Sequence, residues 1–392
     1  MTDKFPAGIQ PNIADVKIFL RKILLIINIL LAFLLIVTYI SVYISPVNAW
    51  IFAFIGMTYP FVLIINLLFI ILWIVFRKWY FLVSILCIAL GWNSFRKFVQ
   101  LQPKKSEPVM TEKTIRLLTY NVRLFNYYQW HKDTATMQKI IDYIHAENPD
   151  IVCFQEFITL PRRNHDLNSL KKKLLPLSYS HVNYTDQVPG RINFGMATFS
   201  KFPIANKHRI EFENSLNGSI CTDIVYGNDT FRIYNCHLQS IRLRKDYNDL
   251  LDSLIFNYSE KQLDDLKDLS VRMRQAFIQR AEQADILARH IQSSPYPVVV
   301  CGDFNDTPVS YVYNRISKHL EDAFIESGTG TGNTYRGNLP YVRIDYVLYS
   351  MPLHAHHYQT KKINWSDHYP VRVDFTIREK ADSTDRNSPL KE

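Results

Sequence analysis

The chain has 392 residues, 47% hydrophobic and 21% charged, with 14% aromatic side chains. That composition excludes a disordered, collagen-like or low-complexity protein, and five cysteines exclude a disulfide scaffold. The formal charge of +9 invites a nucleic-acid reading when taken alone. Its distribution argues otherwise. Residues 1–110 hold ten Lys/Arg against Asp3, Asp15 and Glu107, a net of +7, which leaves +2 for the remaining 282 residues. All twelve histidines also follow residue 110.

From Ile23 to Phe76 there is no Asp, Glu, Lys, Arg or His, a run of 54 residues. At about 20 residues per span, that is too long for one membrane crossing and suits two. Spans are expected at 23–44 and 50–76, separated by Ser45-Pro46-Val47-Asn48, with Pro60 as a kink in the second. A third uncharged stretch, 79–95, is bounded by Arg96-Lys97. It reads as a full span or as a re-entrant or interfacial helix. Val47-Asn48-Ala49 resembles a signal-cleavage site, but the apolar core before it is too long and more apolar segments follow. Residues 1–99 are therefore expected to be a multi-pass region of the inner or plasma membrane, with the lipid bilayer as partner. Lys4, Lys17, Arg21, Lys22 and Arg77-Lys78 place the N-terminus in the cytoplasm and the rest of the chain on the extracytoplasmic side. Arg96, Lys97, Lys104 and Lys105 pull the other way.

Residues 100–113 are polar with two prolines and read as a linker. Beyond it, short β-branched and aromatic runs alternate with helical stretches. Strand candidates include Ile115–Val122, Ile151–Gln155, Gly195–Ser200, Ser219–Tyr226, Thr230–His237, Val298–Cys301, Ile344–Tyr349 and Val371–Thr376. Helices are expected over Thr134–Glu147, with Met137, Ile140, Ile141 and Ile144 at helical spacing, and over Val271–Ile291. Cys153, Cys221, Cys236 and Cys301 sit in apolar runs and read as small buried residues. Residues 241–270 form a densely charged insertion around Leu250, Leu251, Leu254, Ile255 and Phe256, a solvated helix or a lid. The tail 378–392 is polar and reads as disordered. The mixture indicates an α/β domain over 114–377.

Six apolar runs adjoin carboxylate, amide or imidazole residues. Asn121 closes Leu118-Thr-Tyr-Asn. Gln155-Glu156 follows Ile-Val-Cys-Phe, Asn235-Cys-His237 closes a run, and Gly302-Asp-Phe-Asn305 follows Val-Val-Val-Cys. Arg343-Ile-Asp345 opens a run, and Ser366-Asp-His368 precedes the last one. Burying such groups is unfavourable unless they pair or bind a cation. Their convergence at one sheet rim would build a cation-binding, acid–base site.

With these motifs in this order, the chain resembles the endonuclease/exonuclease/phosphatase superfamily. These are DNase I-like metal-dependent phosphodiesterases that include nucleases, inositol polyphosphate 5-phosphatases and neutral sphingomyelinases. The resemblance spans about 114–377 and also rests on Gly195-Met-Ala-Thr-Phe-Ser-Lys-Phe-Pro-Ile204. It implies a four-layer α/β/β/α sandwich of two mixed β-sheets, here preceded by the helical membrane region. It also implies roles. Glu156 would be the principal Mg²⁺ ligand, with Mn²⁺ as a substitute, and Asn121 and Asp367 would complete the metal surroundings. Asp303 would orient or deprotonate the attacking water, and Asn305 would hold a phosphoryl oxygen. His368 with Asp345 would form a dyad, and His237 would donate to the phosphate. Asn235, on the substrate phosphate side, would order the His237 loop; Arg191, with Asn193, would contact the phosphate or form a surface salt bridge; and Arg123 would contact the substrate phosphate. Arg123 stands where some relatives carry an acidic second metal contact, which argues against a two-metal site.

The leading expectation is a membrane-anchored Mg²⁺-dependent phosphoesterase acting on a lipid headgroup or small phosphodiester. A membrane-tethered nuclease acting on DNA or RNA is the alternative. A catalytically dead scaffold is the third reading, and the intact motifs count against it.

Overall fold

The structure, a computed structural model, describes residues 13–101, 114–130, 132–161, 165–213, 215, 217–241, 260–337 and 342–377. Most of the expected linker (102–113), residues 242–259 of the charged insertion and the tail 378–392 lie outside them.

The N-terminal part is helical: α1 (Ile13–Ser41), α2 (Pro46–Ala49), α3 (Ile51–Met57), α4 (Tyr59–Val75), α5 (Phe81–Leu90) and α6 (Trp92–Arg96). Helix α1 begins before the uncharged run, because Lys17, Arg21 and Lys22 are good helix formers and hydropathy does not set helix ends. Over Ala14–Ser41 it is long and apolar enough to cross a membrane. The expected second span is two helices, α3 and α4, bent by 49° across Thr58. Pro60 does not kink a continuous helix. It sits in the first turn of α4, where its missing N–H leaves no bond unmade. The third stretch yields α5 with only 10 residues, about 15 Å of rise against a hydrocarbon core of roughly 30 Å.

Three of these helices are joined by a buried polar chain. Trp73 Nε1 donates to Asn28 Oδ1 (2.8 Å), Asn28 Nδ2 to Ser84 Oγ (2.8 Å), and Ser84 Oγ to Asn66 Oδ1 (2.9 Å). Asn66 Nδ2 donates to the carbonyls of Val62 and Leu31. Each side chain is thereby satisfied among apolar neighbours.

The remainder is an α/β sandwich. Its strands are β1 (Thr114–Asn121), β2 (Ile151–Thr159), β3 (Tyr179–Val188), β4 (Ile192–Ser200), β5 (Ile204–Ile210), β6 (Gly218–Tyr226), β7 (Asp229–His237), β8 (Val298–Asp303), β9 (Glu321–Asp322), β10 (Asp345–Tyr349), β11 (Leu353–Thr360) and β12 (Val371–Ile377). They form two mixed six-stranded sheets, β11-β12-β1-β2-β4-β3 and β5-β6-β7-β8-β10-β9. Strand alternation divides the apolar residues into layers. Ile115, Leu117, Ile233, Val299, Cys301, Val347 and Val373 fill the space between the sheets. Leu118, Tyr120, Val152 and Phe154 face outward against Ile140, Ile141 and Ile144 of α7 (Thr136–Glu147). Tyr234, Val300 and Leu348 meet Ala284 and Leu287 of a long helix, α9 (Glu260–Gln292), with α8 (Leu167–Lys173) preceding it in the chain. Helix α9 starts eleven residues before the expected Val271, inside the charged insertion. Its polar first turns, such as Asp264–Lys267 at 3.2 Å, carry no apolar periodicity. The four sandwich cysteines are buried and unbridged.

The two parts touch. Phe54 packs edge-on against Phe277 of α9 (5.0 Å). Gln100 exchanges backbone bonds with Gly330 (2.8 and 2.9 Å). Asn314 Nδ2 of α10 (Tyr311–Ile316) donates to the Val42 carbonyl (3.3 Å).

Candidate active site

The site follows from strand register. On the inner face, β7 runs Ile233, Asn235, His237; β8 runs Val299, Cys301, Asp303; β10 starts at Asp345 and continues through Val347 and Tyr349. His237 stands opposite Asp303, and Asp303 opposite Asp345. Three chemically active residues are thus consecutive rungs of one sheet. In the facing sheet Asn121 stands opposite Gln155. Apolar inner faces become polar at the same end, so both sheets deliver their functional groups to one rim.

Two residues reach the rim by leaving regular geometry. The β2–β4 register breaks between Phe154 and Phe157, and within this bulge Glu156 has φ +48°. Asn305, just past β8, has φ +53°. Left-handed backbone in non-glycine residues is unfavourable and is retained where the surroundings enforce it. Gly302, φ +120°, could not be replaced: a Cβ there would lie 2.1 Å from the Cys236 carbonyl oxygen.

The side chains form one connected array. His368 Nδ1 lies 2.9 Å from Asp345 Oδ2, and its Nε2 lies 3.6 Å from Asp303 Oδ2. Asn305 donates to both Asp303 oxygens, from its backbone N–H (2.8 Å) and from Nδ2 (3.2 Å). Asn121 Nδ2 donates to Asp303 Oδ2 (3.0 Å) and lies 3.5 Å from Glu156 Oε1. His237 Nε2 is 3.7 Å from Asp303 Oδ2 and 3.8 Å from Glu156 Oε1. Asp367 pairs with Arg123 (3.2 Å).

Burial and charge set the protonation states. Burial pushes the Asp303 carboxyl up to about 7, with Asp345 adding to the rise and His368 opposing it. Burial disfavours the charged form of His368, but Asp345 and Asp303 outweigh it and raise its imidazole to about 10. Glu156 is raised by desolvation and then by the Asp367 charge.

Other expected contacts fall elsewhere. Asn235 is fully buried. Its Nδ2 donates to the carbonyls of Phe154 and Ala197 (both 3.1 Å), and its Oδ1 accepts from Gln155 Nε2 (2.7 Å). It bolts the two sheets together beneath the site, and this geometry gives it no path to a phosphate. Asn305 directs its amide at Asp303 and at the Leu238 carbonyl (2.9 Å), not at open space. Arg123 lies over the Trp130 ring (4.5 Å) as well as beside Asp367. Arg191 is exposed at the β3–β4 turn and forms no ion pair among the described residues.

Sequence reading missed several supports. Gln155 also donates to Thr119 Oγ1 (3.0 Å). Thr334 Oγ1 accepts from the N–H groups of Ile344 and Asp345 (3.0 Å each), and the Tyr335 ring packs edge-on against His368 (5.1 Å). Ser366 Oγ donates to the Asn121 carbonyl (2.8 Å) and accepts from the His368 N–H (3.2 Å). Thr334-Tyr335-Arg336, a polar-aromatic run after the three alternating glycines Gly328, Gly330 and Gly332, was the available signal.

The donor set fits a hard divalent cation. Glu156, Asp303, Asp345 and Asp367 bring four carboxylates to the rim; Asn121, expected among the metal surroundings, turns its Nδ2 towards Asp303 and Glu156, while its Oδ1 accepts from the Arg123 N–H (3.1 Å). The Glu156 and Asp367 side chains keep 32% and 25% of their surface open to solvent, as a cation retaining its waters requires. Among the described residues, Asp303, Asp345 and His368 also place ligand atoms within 4.8 Å of one another. There, however, the protonated imidazole supplies the compensating charge.

Two mixed sheets packed face to face, with carboxylates, imidazoles and amides gathered at one rim, define a class of hydrolytic α/β sandwich. A family model described as Endonuclease/Exonuclease/phosphatase family matches residues 118–368, and the chain belongs to that family, whose members hydrolyse phosphoester bonds. A second model, described as Domain of unknown function (DUF8431), matches residues 21–98. Among solved structures, the chain is similar to an endonuclease/exonuclease/phosphatase from Bacteroides vulgatus. The identity is 17%, over 68% of this chain and 99% of that one, with a TM-score of 0.49. The human Nocturnin catalytic domain with bound sulfate is 20% identical over 69% of this chain and 95% of that one, with a TM-score of 0.49. A Beutenbergia cavernae endonuclease/exonuclease/phosphatase is 17% identical over 68% and 72%, with a TM-score of 0.48. No curated protein sequence matches the chain significantly.

Proposed function

We propose that the chain is a membrane-anchored, divalent-metal-dependent phosphoesterase acting by attack of an activated water, on a lipid headgroup or a small phosphodiester. The observation that carries this is the rung sequence His237–Asp303–Asp345, with His368 bonded to Asp345 and facing Asp303. Glu156, Asn121 and Asp367 would hold Mg²⁺, or Mn²⁺ in its place. Such a cation, when bound, neutralises charge on phosphoryl oxygens. Asp303 would orient the water and accept its proton, a role its proton affinity near neutrality supports. Asn305 fixes both oxygens of Asp303 for that task. His368, held protonated by Asp345, and His237 present N–H groups to the developing negative charge. Arg123, paired with Asp367, is the cation nearest in chain to Asn121 and is assigned to substrate phosphate.

The membrane part of the reading rests on exposed apolar surface. Phe19, Leu30, Phe33, Leu68, Ile71 and Val75 are each 59–69% exposed on α1 and α4, which water disfavours and a bilayer does not. Basic residues at the start of α1 and after α4 favour a cytoplasmic N-terminus. A tether of this kind raises the local concentration of a lipid substrate.

The full chain, purified in detergent, is assayed on a phospholipid and sphingolipid panel beside plasmid DNA and RNA, with and without Mg²⁺. Mg²⁺-dependent hydrolysis lost in Glu156→Ala and His368→Ala is expected. Wild-type rates in both variants would remove the mechanism. Digestion of DNA or RNA alone would replace the lipid reading with that of a tethered nuclease, for which the near-balanced charge after residue 110 gives little support.

A further inference from the structure

We propose that the junction between the apolar helices and the sandwich binds one anionic phospholipid. A cavity of about 550 Å³ opens there, between α1, the end of α5 and the sandwich. Its lining joins the apolar Ile36, Ile40 and Leu90 to Arg96, Lys97 and Asn314. Ile40 and Leu90 are 51% and 77% exposed, so part of the apolar lining reaches the surface.

The basic end lacks a carboxylate of its own. Arg96 is exposed and forms no ion pair among the described residues. The Lys97 ammonium sits 4.8 Å from the centroid of the Tyr313 ring. Burial lowers its pKa to about 8, partly opposed by Asp322. Asp322 is itself held by Arg343 (2.8 Å) and by the Tyr313 hydroxyl (2.7 Å). An anion entering the cavity would meet exposed Arg96 without displacing an ion pair, with Lys97, whose charge Asp322 partly offsets, beside it.

The composition of the lining selects the ligand. Apolar side chains next to Arg96 and Lys97 match an acyl chain joined to an anionic headgroup. Free phosphate would leave the apolar side chains in contact with water, and a choline group would meet like charge. Trp92, which follows the lining residue Gly91, is 52% exposed and stacks on Phe95 (5.3 Å), an aromatic exposure typical of a bilayer interface. The proposal rests on the membrane reading only for the source of the lipid.

The test uses the full chain in a neutral detergent. Dioctanoyl phosphatidylglycerol, dioctanoyl phosphatidylcholine and inorganic phosphate are each titrated by native mass spectrometry and thermal unfolding. Phosphatidylglycerol is expected to bind and stabilise, with the other two at least about tenfold weaker. Arg96→Glu is expected to weaken phosphatidylglycerol about tenfold or more, and Ile40→Trp, which fills the cavity, to block it. Both variants should hydrolyse bis(p-nitrophenyl) phosphate at the wild-type rate. Equal binding of the two lipids, phosphate matching phosphatidylglycerol, or binding unchanged in both variants would overturn the proposal. Because binding is read directly, an inactive wild type would refute the phosphoesterase reading while leaving this result interpretable.

Discussion

The Nδ1 atom of His368 lies 2.9 Å from Asp345 Oδ2, although 23 residues separate them in the chain and both are buried. The carboxylate fixes the ring orientation and favours the imidazolium. In the metal-free protein, His368 is expected to titrate near pH 10, and Asp345→Asn to bring it down towards 6.5 or below. The folded value exceeds the unfolded one. The associated stability is therefore fully present below about pH 6.5 and lost as pH rises through about 10. Imidazole NMR and denaturation across that window measure both. Turnover in Asp345→Asn should fall by about 10²–10⁴.

Glu156 shows a linkage of the same sign, although here the neutral form is the favoured one. Its carboxyl is raised by desolvation and by Asp367, so the ionised form is disfavoured in the metal-free fold. Stability is lost as pH rises from the ordinary carboxylate range through the raised value, and Asp303, at about 7, acts in the same sense. Glu156→Gln is therefore expected to raise the melting temperature of metal-free protein at neutral pH, and to abolish its stabilisation by Mg²⁺. Calorimetry with and without Mg²⁺ reads both effects. A lower melting temperature in the metal-free variant would contradict the account.

Asn235 separates a structural from a substrate role. Removing its amide leaves Gln155 Nε2 and the carbonyls of Phe154 and Ala197 short of partners in a dry interior. Asn235→Leu should destabilise by about 2–4 kcal/mol in urea unfolding. Unchanged stability with a raised KM would return it to the substrate side.

The chain Trp73–Asn28–Ser84–Asn66 predicts how the helices are held. Asn28→Leu breaks two of its bonds and strands the Trp73 N–H. A loss of about 1–2 kcal/mol is expected, read by resistance to unfolding in dodecyl sulfate. Asn93→Leu, an exposed change in the same helical part, should leave that resistance unaltered.

The strands that were hard to see share a position. Strands β3, β5, β9 and β11 carry weak sequence signals, and they are the four edges of the two sheets. An edge strand packs fewer neighbours, so it tolerates residues such as Asn206-Lys207-His208-Arg209 in β5. The central strands bury both faces and therefore read as apolar runs.

What the sequence alone determined is the chemistry and its place along each strand. Alternation puts Asn121, Asp303 and Asp345 on inner faces at strand ends, and the order of motifs announces the family. Tertiary structure decided which of those groups meet. The rungs joining His237, Asp303 and Asp345, the bulge that brings Glu156 to the rim, and the inward seat of Asn235 depend on register between strands far apart in the chain. Local pattern carries no information about register. The same division applies to the opening charge of +9. Its segregation is a property of the sequence, but only the fold brings Arg96 and Lys97 to a cavity beside the sandwich.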